Sequence, residues 1–322
     1  MIRFFTLALC SLGISLGIAQ AQLSADLIIP TNNINPYETL KGTVQSYSFD
    51  VDNALLTWKV NGVTVRSSVG EKTLNVTLGG PGTKTTVELT ARDGSGEEIG
   101  LSRVFSPQSV TLLWESPESY TPPFYKGKAL PGEGAAITVT AFPEFFENNK
   151  RIPATNLSYA WYVHGEFVQS ASGRGKSTFT TSLDYLRNEH IVKVIVRSES
   201  GSQSENSVTI RPHAVMPLFY THDTILGPNT SYGFIRRFET TKEVTLYLAP
   251  YYLSTKGTPR GSERFSWTLN GLPITQSSLY TTTLRPKDDS YGAQTLVVSI
   301  DQLKRKLQKT EARVEIVFDS RK

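Results

Sequence analysis

The chain consists of short segments in which hydrophobic and polar residues alternate, and each segment ends at a turn signal. Thr86 to Arg92 alternates cleanly, and related segments run from Ile191 to Arg197 and from Thr295 to Ile300. Alternation with a period of two places every second side chain on one face, which predicts half-buried strands. Thr, Ser, Val, Tyr and Phe are plentiful, and this composition also favours strands over helices. The pattern therefore predicts an all-β protein.

One motif recurs three times at domain-sized intervals. It reads Trp, any residue, an aliphatic residue, Asn or His, and Gly, and it begins at Trp58, Trp161 and Trp267, which are 103 and 106 residues apart. We expect the Trp and the aliphatic residue to face a core. Asn-Gly or His-Gly supplies the positive φ angles of a tight hairpin turn. The expected turn residues are Asn61, Gly62, His164, Gly165, Asn270 and Gly271.

Prolines interrupt the alternation near the ends of the first two repeats, at Ser106-Pro107 and at Arg211-Pro212. A proline cannot donate a hydrogen bond to a strand ladder, so these positions mark short linkers. We therefore predict three tandem immunoglobulin-like β-sandwich domains, each of about 100 residues. Their limits are 22–106, 107–211 and 212–322. Short linkers predict a semi-rigid rod.

The first 21 residues, 1–21, have the pattern of a secretory signal peptide. Arg3 precedes an apolar run from Thr6 to Ile18, and Ala19-Gln20-Ala21 follows. Small residues at the −3 and −1 positions predict cleavage after Ala21. The apolar run is shorter than the roughly 20 residues that span a bilayer, which favours cleavage over an uncleaved anchor. We expect a mature chain without a membrane span, secreted or held in the cell envelope.

Cysteine content and charge narrow the class of protein further. The single cysteine, Cys10, lies in the predicted leader, so the mature chain has neither a disulfide nor a cysteine-based metal site. An exported protein without disulfides suggests a bacterial source. The net charge is +4, and the basic residues are spread along the chain. Because nucleic-acid binders concentrate their basic residues on one face, we expect no nucleic-acid partner.

The repeated strand and turn, followed by an alternating strand and a closing hairpin, resembles bacterial immunoglobulin-like domains of the polycystic-kidney-disease (PKD) type. The resemblance extends over all three repeats, although the Asp-Gly-Ser turn that is frequent in the family is clear only at Asp93-Gly94-Ser95. It implies a sandwich of about seven strands that serves as a spacer or binding module on exported proteins. It implies no catalytic residues and no cofactor.

Histidines offer little catalytic chemistry in this sequence. His164 takes the turn position that Asn61 and Asn270 hold in the other repeats, which favours a structural role. His222-Asp223, in an irregular aromatic stretch, is the candidate for a hydrolase site. No two histidines have the spacing of metal ligands. The four histidines are His164, His190, His213 and His222.

Charged clusters leave two alternatives each. Asp50-Val51-Asp52-Asn53 and Asp288-Asp289 are either solvated loop acids or part of a calcium site, and calcium needs about six converging oxygens. The basic run from Lys304 to Lys309 is either a solvated loop tip or a contact with an anionic surface.

The aromatic, proline-rich segments that open repeats two and three are the candidates for binding. Exposed aromatic rings can stack on sugars or anchor a protein partner. Packing across the domain junction explains the same residues without a ligand, because a proline-rich linker needs apolar cover. The candidate residues are Trp114, Tyr120, Phe124, Tyr125, Phe219 and Tyr220.

The sequence thus predicts an exported, non-enzymatic interaction or spacer protein of the cell surface or envelope, whose partner is a protein or a glycan. The alternative is a carbohydrate- or pilus-binding accessory protein that uses the aromatic segments of repeats two and three. A hydrolase centred on His222 is the third hypothesis.

Overall fold

The structure is a computed structural model. It describes residues 24–29, 34–231, 233–255, 263–276, 278–286, 292–303 and 308–319. The predicted leader, Asp288-Asp289 and the basic residues 304–306 lie outside these ranges. The described part of the chain contains no helix of the length and hydrophobicity that crossing a membrane requires. The chain divides into two compact units, Met1–Pro107 and Gln108–Lys322.

The first unit contains one sandwich of two antiparallel sheets. The sheets have the strand orders β1-β2-β5 and β4-β3-β6-β7. Trp58 is fully buried in the core between them. The strands are β1 (Ala25–Ile28), β2 (Thr39–Ser46), β3 (Leu55–Val60), β4 (Val63–Val69), β5 (Thr73–Thr77), β6 (Thr85–Arg92) and β7 (Glu98–Phe105).

The second unit begins with a sandwich that has the same strand order. One sheet has the order β15-β9-β8, and the other has the order β13-β12-β16-β17, with β14 also pairing with β12. Trp161 is fully buried in its core. The strands are β8 (Ser109–Glu115), β9 (Ala136–Glu144), β10 (Phe146–Glu147), β11 (Lys150–Arg151), β12 (Ser158–Val163), β13 (Glu166–Phe167), β14 (Gly173–Arg174), β15 (Thr178–Ser182), β16 (His190–Arg197) and β17 (Gln203–Ile210), and short 3-10 helices span Ala154–Asn156 and Gln169–Ala171.

The second unit continues with a third sandwich, whose core contains Trp267. Its sheets have the orders β19-β18-β21-β24 and β20-β26-β25-β22-β23, and β20 runs parallel to β26. The strands are β18 (Met216–Asp223), β19 (Gly227–Pro228), β20 (Arg237–Thr240), β21 (Val244–Tyr251), β22 (Glu263–Leu269), β23 (Leu272–Pro273), β24 (Thr281–Leu284), β25 (Gly292–Gln302) and β26 (Lys309–Phe318).

All three sandwiches share one arrangement of their seven principal strands. The first, second and fifth strands form one sheet, and the fourth, third, sixth and seventh strands form the other. This arrangement of antiparallel strands around a buried tryptophan is that of an immunoglobulin-like β-sandwich. The predicted all-β, immunoglobulin-like fold class is therefore confirmed. The domain limits 22–106, 107–211 and 212–322 stay a prediction.

The three repeated motifs form the same hairpin turn. Asn61, His164 and Asn270 each have a φ of 51°, in the left-handed region, and each is followed by a glycine with positive φ. The Oδ1 atoms of the two asparagines accept hydrogen bonds from the backbone N–H of Thr86 and of Thr295, at 2.9 and 2.8 Å. Histidine has no carbonyl oxygen for this bond. The second sandwich therefore keeps the turn and lacks the cap.

Substitution of Asn61 separates the contribution of the left-handed backbone angle from that of the hydrogen bond with Thr86 N–H. The Asn61→Ala variant should lower the free energy of unfolding of the first unit by about 2 kcal/mol, because Ala tolerates positive φ poorly and cannot cap Thr86. The Asn61→Gly variant keeps the backbone angle and loses only the cap, so about 1 kcal/mol is expected. Urea denaturation of the purified chain measures both values. Equal losses in the two variants would show that the backbone angle contributes nothing.

Candidate functional site

The proline-rich segment that was expected to open the second sandwich is instead the connection between its strands β8 and β9, and it lies along the third sandwich. We call residues 116–135 the clasp. The backbone N–H of Tyr120 donates to the carbonyl of Leu253 at 2.7 Å, and Thr255 N–H donates to the carbonyl of Glu118 at 2.9 Å. The clasp is rich in proline and does not form a strand of its own sheet, so its backbone groups find partners on the neighbouring sandwich.

The clasp covers an aromatic face of the third sandwich. Along β21, the core residues on either side of Tyr247 point inward, so Tyr247 itself faces outward. Phe124 packs edge-on against Tyr220 and Tyr247, with ring centroids 5.1 and 6.4 Å apart. Tyr125 packs against Tyr251 in the same way at 6.0 Å. These separations are those of attractive aromatic pairs.

Hydroxyl groups connect the rings of this face. The hydroxyl of Tyr120 is hydrogen-bonded to that of Tyr247, and the hydroxyls of Tyr220 and Tyr251 are 3.1 Å apart. Burial raises the pKa of Tyr120 and of Tyr251, because the charged phenolate would lose its hydration. Burial likewise raises the pKa of Tyr280, whose ring lies 5.3 Å from that of Tyr120, to about 12. These phenols are therefore neutral at physiological pH.

A buried polar network holds the clasp in one position. Gln308 and Ser254 are fully buried. The Oε1 atom of Gln308 accepts from Ser254 N–H at 2.9 Å, and its Nε2 donates to the carbonyl of Glu133 in the clasp at 2.7 Å. Gln302 Nε2 donates to the Ser254 carbonyl at 2.6 Å. Because each of these bonds has a fixed direction, the network specifies a single arrangement.

The structure brings most of the predicted binding residues to this junction. Phe219 is 2% exposed and faces the core of the third sandwich, 6.1 Å from Trp267, so it is not available to a ligand. Trp114 packs against the core of the second sandwich under the ammonium of Lys128, which lies 3.1 Å from its ring centroid. In the aromatic cluster at the junction, Tyr220 is 6% exposed, Tyr120 and Phe124 are half-buried, and Tyr125 is 37% exposed.

Sequence reasoning missed the partners of these residues. Tyr247, Tyr251, Tyr280 and Gln308 were not candidates, although they form half of the junction. Alternation by itself does not show whether the outer face of a strand is covered by another segment. The one sequence feature that indicated a covered face is the presence of aromatic residues, Tyr247 and Tyr251, at outward positions of β21.

His222 and His213 each lie beside a tyrosine ring. The buried Nδ1 of His222 has no hydrogen-bond partner among the described residues, and its ring lies 6.1 Å from that of Tyr247. The other member of the candidate pair, Asp223, ends β18, and its carboxylate accepts hydrogen bonds from the backbone N–H of Ile225 and of Leu226, both at 2.8 Å. The ring of His213 stacks on Tyr252 at 4.8 Å.

The acidic cluster of the first unit closes a turn. Asp50 accepts hydrogen bonds from the backbone N–H of Asp52 and from the side chain of Asn53, at 3.1 and 2.8 Å. The bond from the Asn53 side chain is the main reason that the pKa of Asp50 is lowered. Asp52 pairs with Lys72 at 2.6 Å. Within the described ranges, no group of three or more His, Cys, Asp or Glu residues has an arrangement that could hold a metal ion.

A cavity of about 560 Å³ lies beside the turn of the second sandwich. His164 and His190 line it, with ring centroids 5.3 Å apart. His190 is 3% exposed, and its Nε2 lies 3.1 Å from the backbone carbonyl of Asp184. Burial is the largest cause of the lowered pKa of His190. Glu166 and Arg187 also line the cavity. The sequence signalled this pair only through the replacement of Asn by His at position 164.

Comparison with known proteins gives structural similarity alone. No protein-family model matches the chain, and no curated protein matches its sequence. Three solved structures of modular β-sandwich proteins are similar in architecture. The fibronectin(III)-like modules of Clostridium thermocellum CbhA have a TM-score of 0.30 and 13% identity, and the match covers 58% of this chain and 94% of that one. The three N-terminal domains of the bacteriophage RB49 highly immunogenic outer capsid protein have a TM-score of 0.29 and 10% identity, and the match covers 94% of this chain and 100% of that one. Sidekick-1 immunoglobulin domains 1–5 have a TM-score of 0.30 and 13% identity, and the match covers 92% of this chain and 59% of that one. At these values nothing about the role of this chain follows from the similarity.

Removal of the Phe124 ring tests the junction. The Phe124→Ala variant should lower the free energy of unfolding of the second unit by about 2 kcal/mol, less than a fully buried phenylalanine contributes, because the ring is half-buried. Amide hydrogen exchange of Tyr120 and Thr255, whose N–H groups hold the clasp, should accelerate. The matched control is Phe142→Ala, at an exposed position of β9, where less than about 1 kcal/mol is expected. If Phe124→Ala lowered the free energy of unfolding by no more than Phe142→Ala, the Phe124 ring would not stabilise the junction.

Stability at alkaline pH should depend on Tyr280. Its pKa is about 12 in the folded protein and about 10 in an unfolded chain. The unfolded state therefore releases the proton first, so the contribution to stability is complete below about pH 10 and is lost as the pH rises to about 12. Urea midpoints measured across this range should fall less steeply for Tyr280→Phe than for the unaltered chain. Parallel curves would show that Tyr280 does not contribute to the decline.

Proposed function

We propose that the chain is an exported, non-enzymatic spacer and interaction protein of the cell surface or envelope. The observation that carries this proposal is the clasp, which joins the second and third sandwiches within one compact unit, Gln108–Lys322. A spacer needs modules in a fixed orientation, because a flexible linker lets the two ends approach each other. In this chain, backbone hydrogen bonds, the aromatic face and the buried polar network hold the second and third sandwiches together.

Two further features support the proposal. The pattern of the first 21 residues predicts export, with cleavage after Ala21. The carboxylate of Asp223, the neighbour of His222 in the hydrolase hypothesis, accepts hydrogen bonds from the backbone N–H of Ile225 and Leu226, which is the pattern of a structural turn. The partner is a protein or a glycan.

Spin-label distance measurements test the spacer function. The chain has no cysteine after Cys10, so the paired variant Ser207→Cys and Ser266→Cys places labels on the second and third sandwiches without interference. Both positions are exposed strand residues. We expect one narrow distance distribution, as narrow as that of the reference pair Ser182→Cys and Ser207→Cys within one sandwich. Adding Phe124→Ala should broaden the first distribution and leave the reference unchanged. A broad distribution before that addition would contradict a rigid spacer.

Carbohydrate or pilus binding through the aromatic segments is the second candidate function. Tyr125 supports it, because 37% of this residue remains exposed beside Tyr251. Binding of the purified chain to arrayed glycans and to isolated pili tests this function. The Tyr125→Ala variant should lose the binding, whereas Tyr47→Ala, which removes a fully exposed tyrosine of the first unit, should retain it. Equal binding by both variants would exclude Tyr125 as the contact.

A further inference from the structure

The loop between β15 and β16, residues 183–189, contacts the end of the clasp. The backbone N–H of Leu183 donates to the carbonyl of Ala135, the last residue of the clasp, at 2.9 Å. The ring of Tyr185 lies directly against Gly134, where an added Cβ would be 2.2 Å from the ring. The carbonyl of Glu133, one residue earlier, accepts a side-chain hydrogen bond from the third sandwich. The loop therefore supports the part of the clasp that carries the polar network.

One histidine holds this loop in place. His190, the first residue of β16, is 3% exposed, and its Nε2 lies 3.1 Å from the backbone carbonyl of Asp184. A carbonyl oxygen only accepts hydrogen bonds, so Nε2 carries a proton and donates it. Asp184 lies between Leu183 and Tyr185, the two loop residues that contact the clasp. The support of the clasp therefore depends on a type of side chain that changes its charge near neutral pH.

The surroundings of His190 disfavour its charged form. Burial is the largest cause of its lowered pKa, and His164 and Arg187 lower the pKa further, while the carbonyl and the carboxylate of Asp184 oppose them. Asp184 pairs with Arg187 at 3.6 Å. The charged and titratable groups on the elements around the ring are His164, Glu166, Asp184, Arg187 and the pair of Glu189 with Arg211.

Protonation of His190 acts against the observed arrangement. A charged ring is poorly solvated in the buried position and regains its hydration when it moves into water. That movement breaks the hydrogen bond to Asp184. Because the pKa is lowered in the folded arrangement, the contribution of His190 to stability is complete above about pH 6.5 and is lost as the pH falls below that value.

The other sandwiches have no titratable group at this position. The residue equivalent to His190 is Thr85 in the first sandwich and Gln294 in the third, since each of the three precedes the residue whose carbonyl accepts a hydrogen bond from the repeated turn. Neither threonine nor glutamine changes its charge with pH. The histidine is therefore a property of the second sandwich and not of the fold that all three share.

We propose that His190 and the loop 183–189 form a pH-sensitive latch on the clasp, which is closed at neutral pH and weakened in mild acid. His164 contributes to the response, because it places a second ionisable ring 5.3 Å from the first. The inference rests on the proposed spacer function, since it describes how the rigidity of that spacer is regulated. The junction between the second and third sandwiches is then rigid at neutral pH and looser in acid.

Amide hydrogen exchange at two pH values tests the latch, with each rate divided by the intrinsic rate of an unfolded chain at the same pH. Two N–H groups report on the clasp: Leu183 bonds to it from the loop, and Thr255 bonds to it from the third sandwich. Their protection should fall by up to about tenfold between about pH 7.5 and about pH 5.5, where an ordinary carboxylate stays ionised. Leu89, in the core of the first unit, which has no histidine, should keep its protection.

The variant His190→Gln removes the titration and keeps the hydrogen bond, because a glutamine amide still donates to the Asp184 carbonyl. It should remove most of the pH dependence and retain the protection at the higher pH. The matched control is His213→Gln. His213 also lies at the junction, where its ring stacks on Tyr252 and its N–H donates to the carbonyl of Pro131 in the clasp. This variant should leave the pH dependence unchanged.

Unchanged protection at the lower pH would overturn the proposal. Loss of protection at Leu183 without loss at Thr255 would overturn it as well, because the loop would then titrate without releasing the clasp. A pH dependence that disappears in His213→Gln and persists in His190→Gln would have the same meaning. If His190→Gln does not fold, NMR titration of the unaltered chain decides, since protonation of the His190 ring has to accompany the loss of protection.

Failure of the spacer function gives a different result. The label pair on the second and third sandwiches would then show a broad distance distribution already at the higher pH. A narrow distribution at the higher pH, together with protection that does not depend on pH, would retain the spacer and overturn the latch alone.

Discussion

The contact between the clasp and the outer aromatic face of the third sandwich is the interaction on which the second unit depends. In a sandwich, one face of each sheet fills the core and the other normally meets solvent. Here the outer face carries Tyr220, Tyr247 and Tyr251, and their rings need cover. Phe124 and Tyr125 provide it. The proline-rich clasp forms no strand, so some of its backbone groups form hydrogen bonds with the third sandwich. The clasp thereby joins the second sandwich to the third through both side chains and backbone.

The junction combines apolar burial with directional polar bonds, and the two have different consequences. Burial of aromatic rings stabilises many related packings about equally well, since it has little directional preference. The amide of Gln308 reaches both Ser254 and the carbonyl of Glu133, and a shifted clasp would leave these buried groups unpaired. The polar network therefore selects one orientation from those that the aromatic contacts allow. This division of roles accounts for the buried glutamines at the junction.

The repeated turn shows how a conserved backbone can carry different chemistry. The left-handed angle at Asn61, His164 and Asn270 is set by the tight hairpin, and all three residues adopt it. Only the side chain then decides whether the position caps a strand or faces the cavity. Replacing Asn by His at such a turn changes the local chemistry without changing the path of the chain. Comparison with the first and third sandwiches therefore shows which side chains of the second sandwich the turn itself does not require.

Local rules determined much of this protein from sequence alone. Alternation fixes the strand faces, and Asn-Gly and His-Gly mark the hairpin turns because they tolerate positive φ angles. Both signals depend on residues close together in the chain, and the recurring tryptophan motif marks the three repeats. Phe219 and Tyr220 show the limit: they are adjacent, one enters the core and the other enters the junction, and only the covered outer face distinguishes their roles. Gln308 and Glu133 are distant in sequence, as are Phe124 and Tyr247. Contacts between such distant residues follow from how whole sheets pack, so the tertiary structure alone decided them.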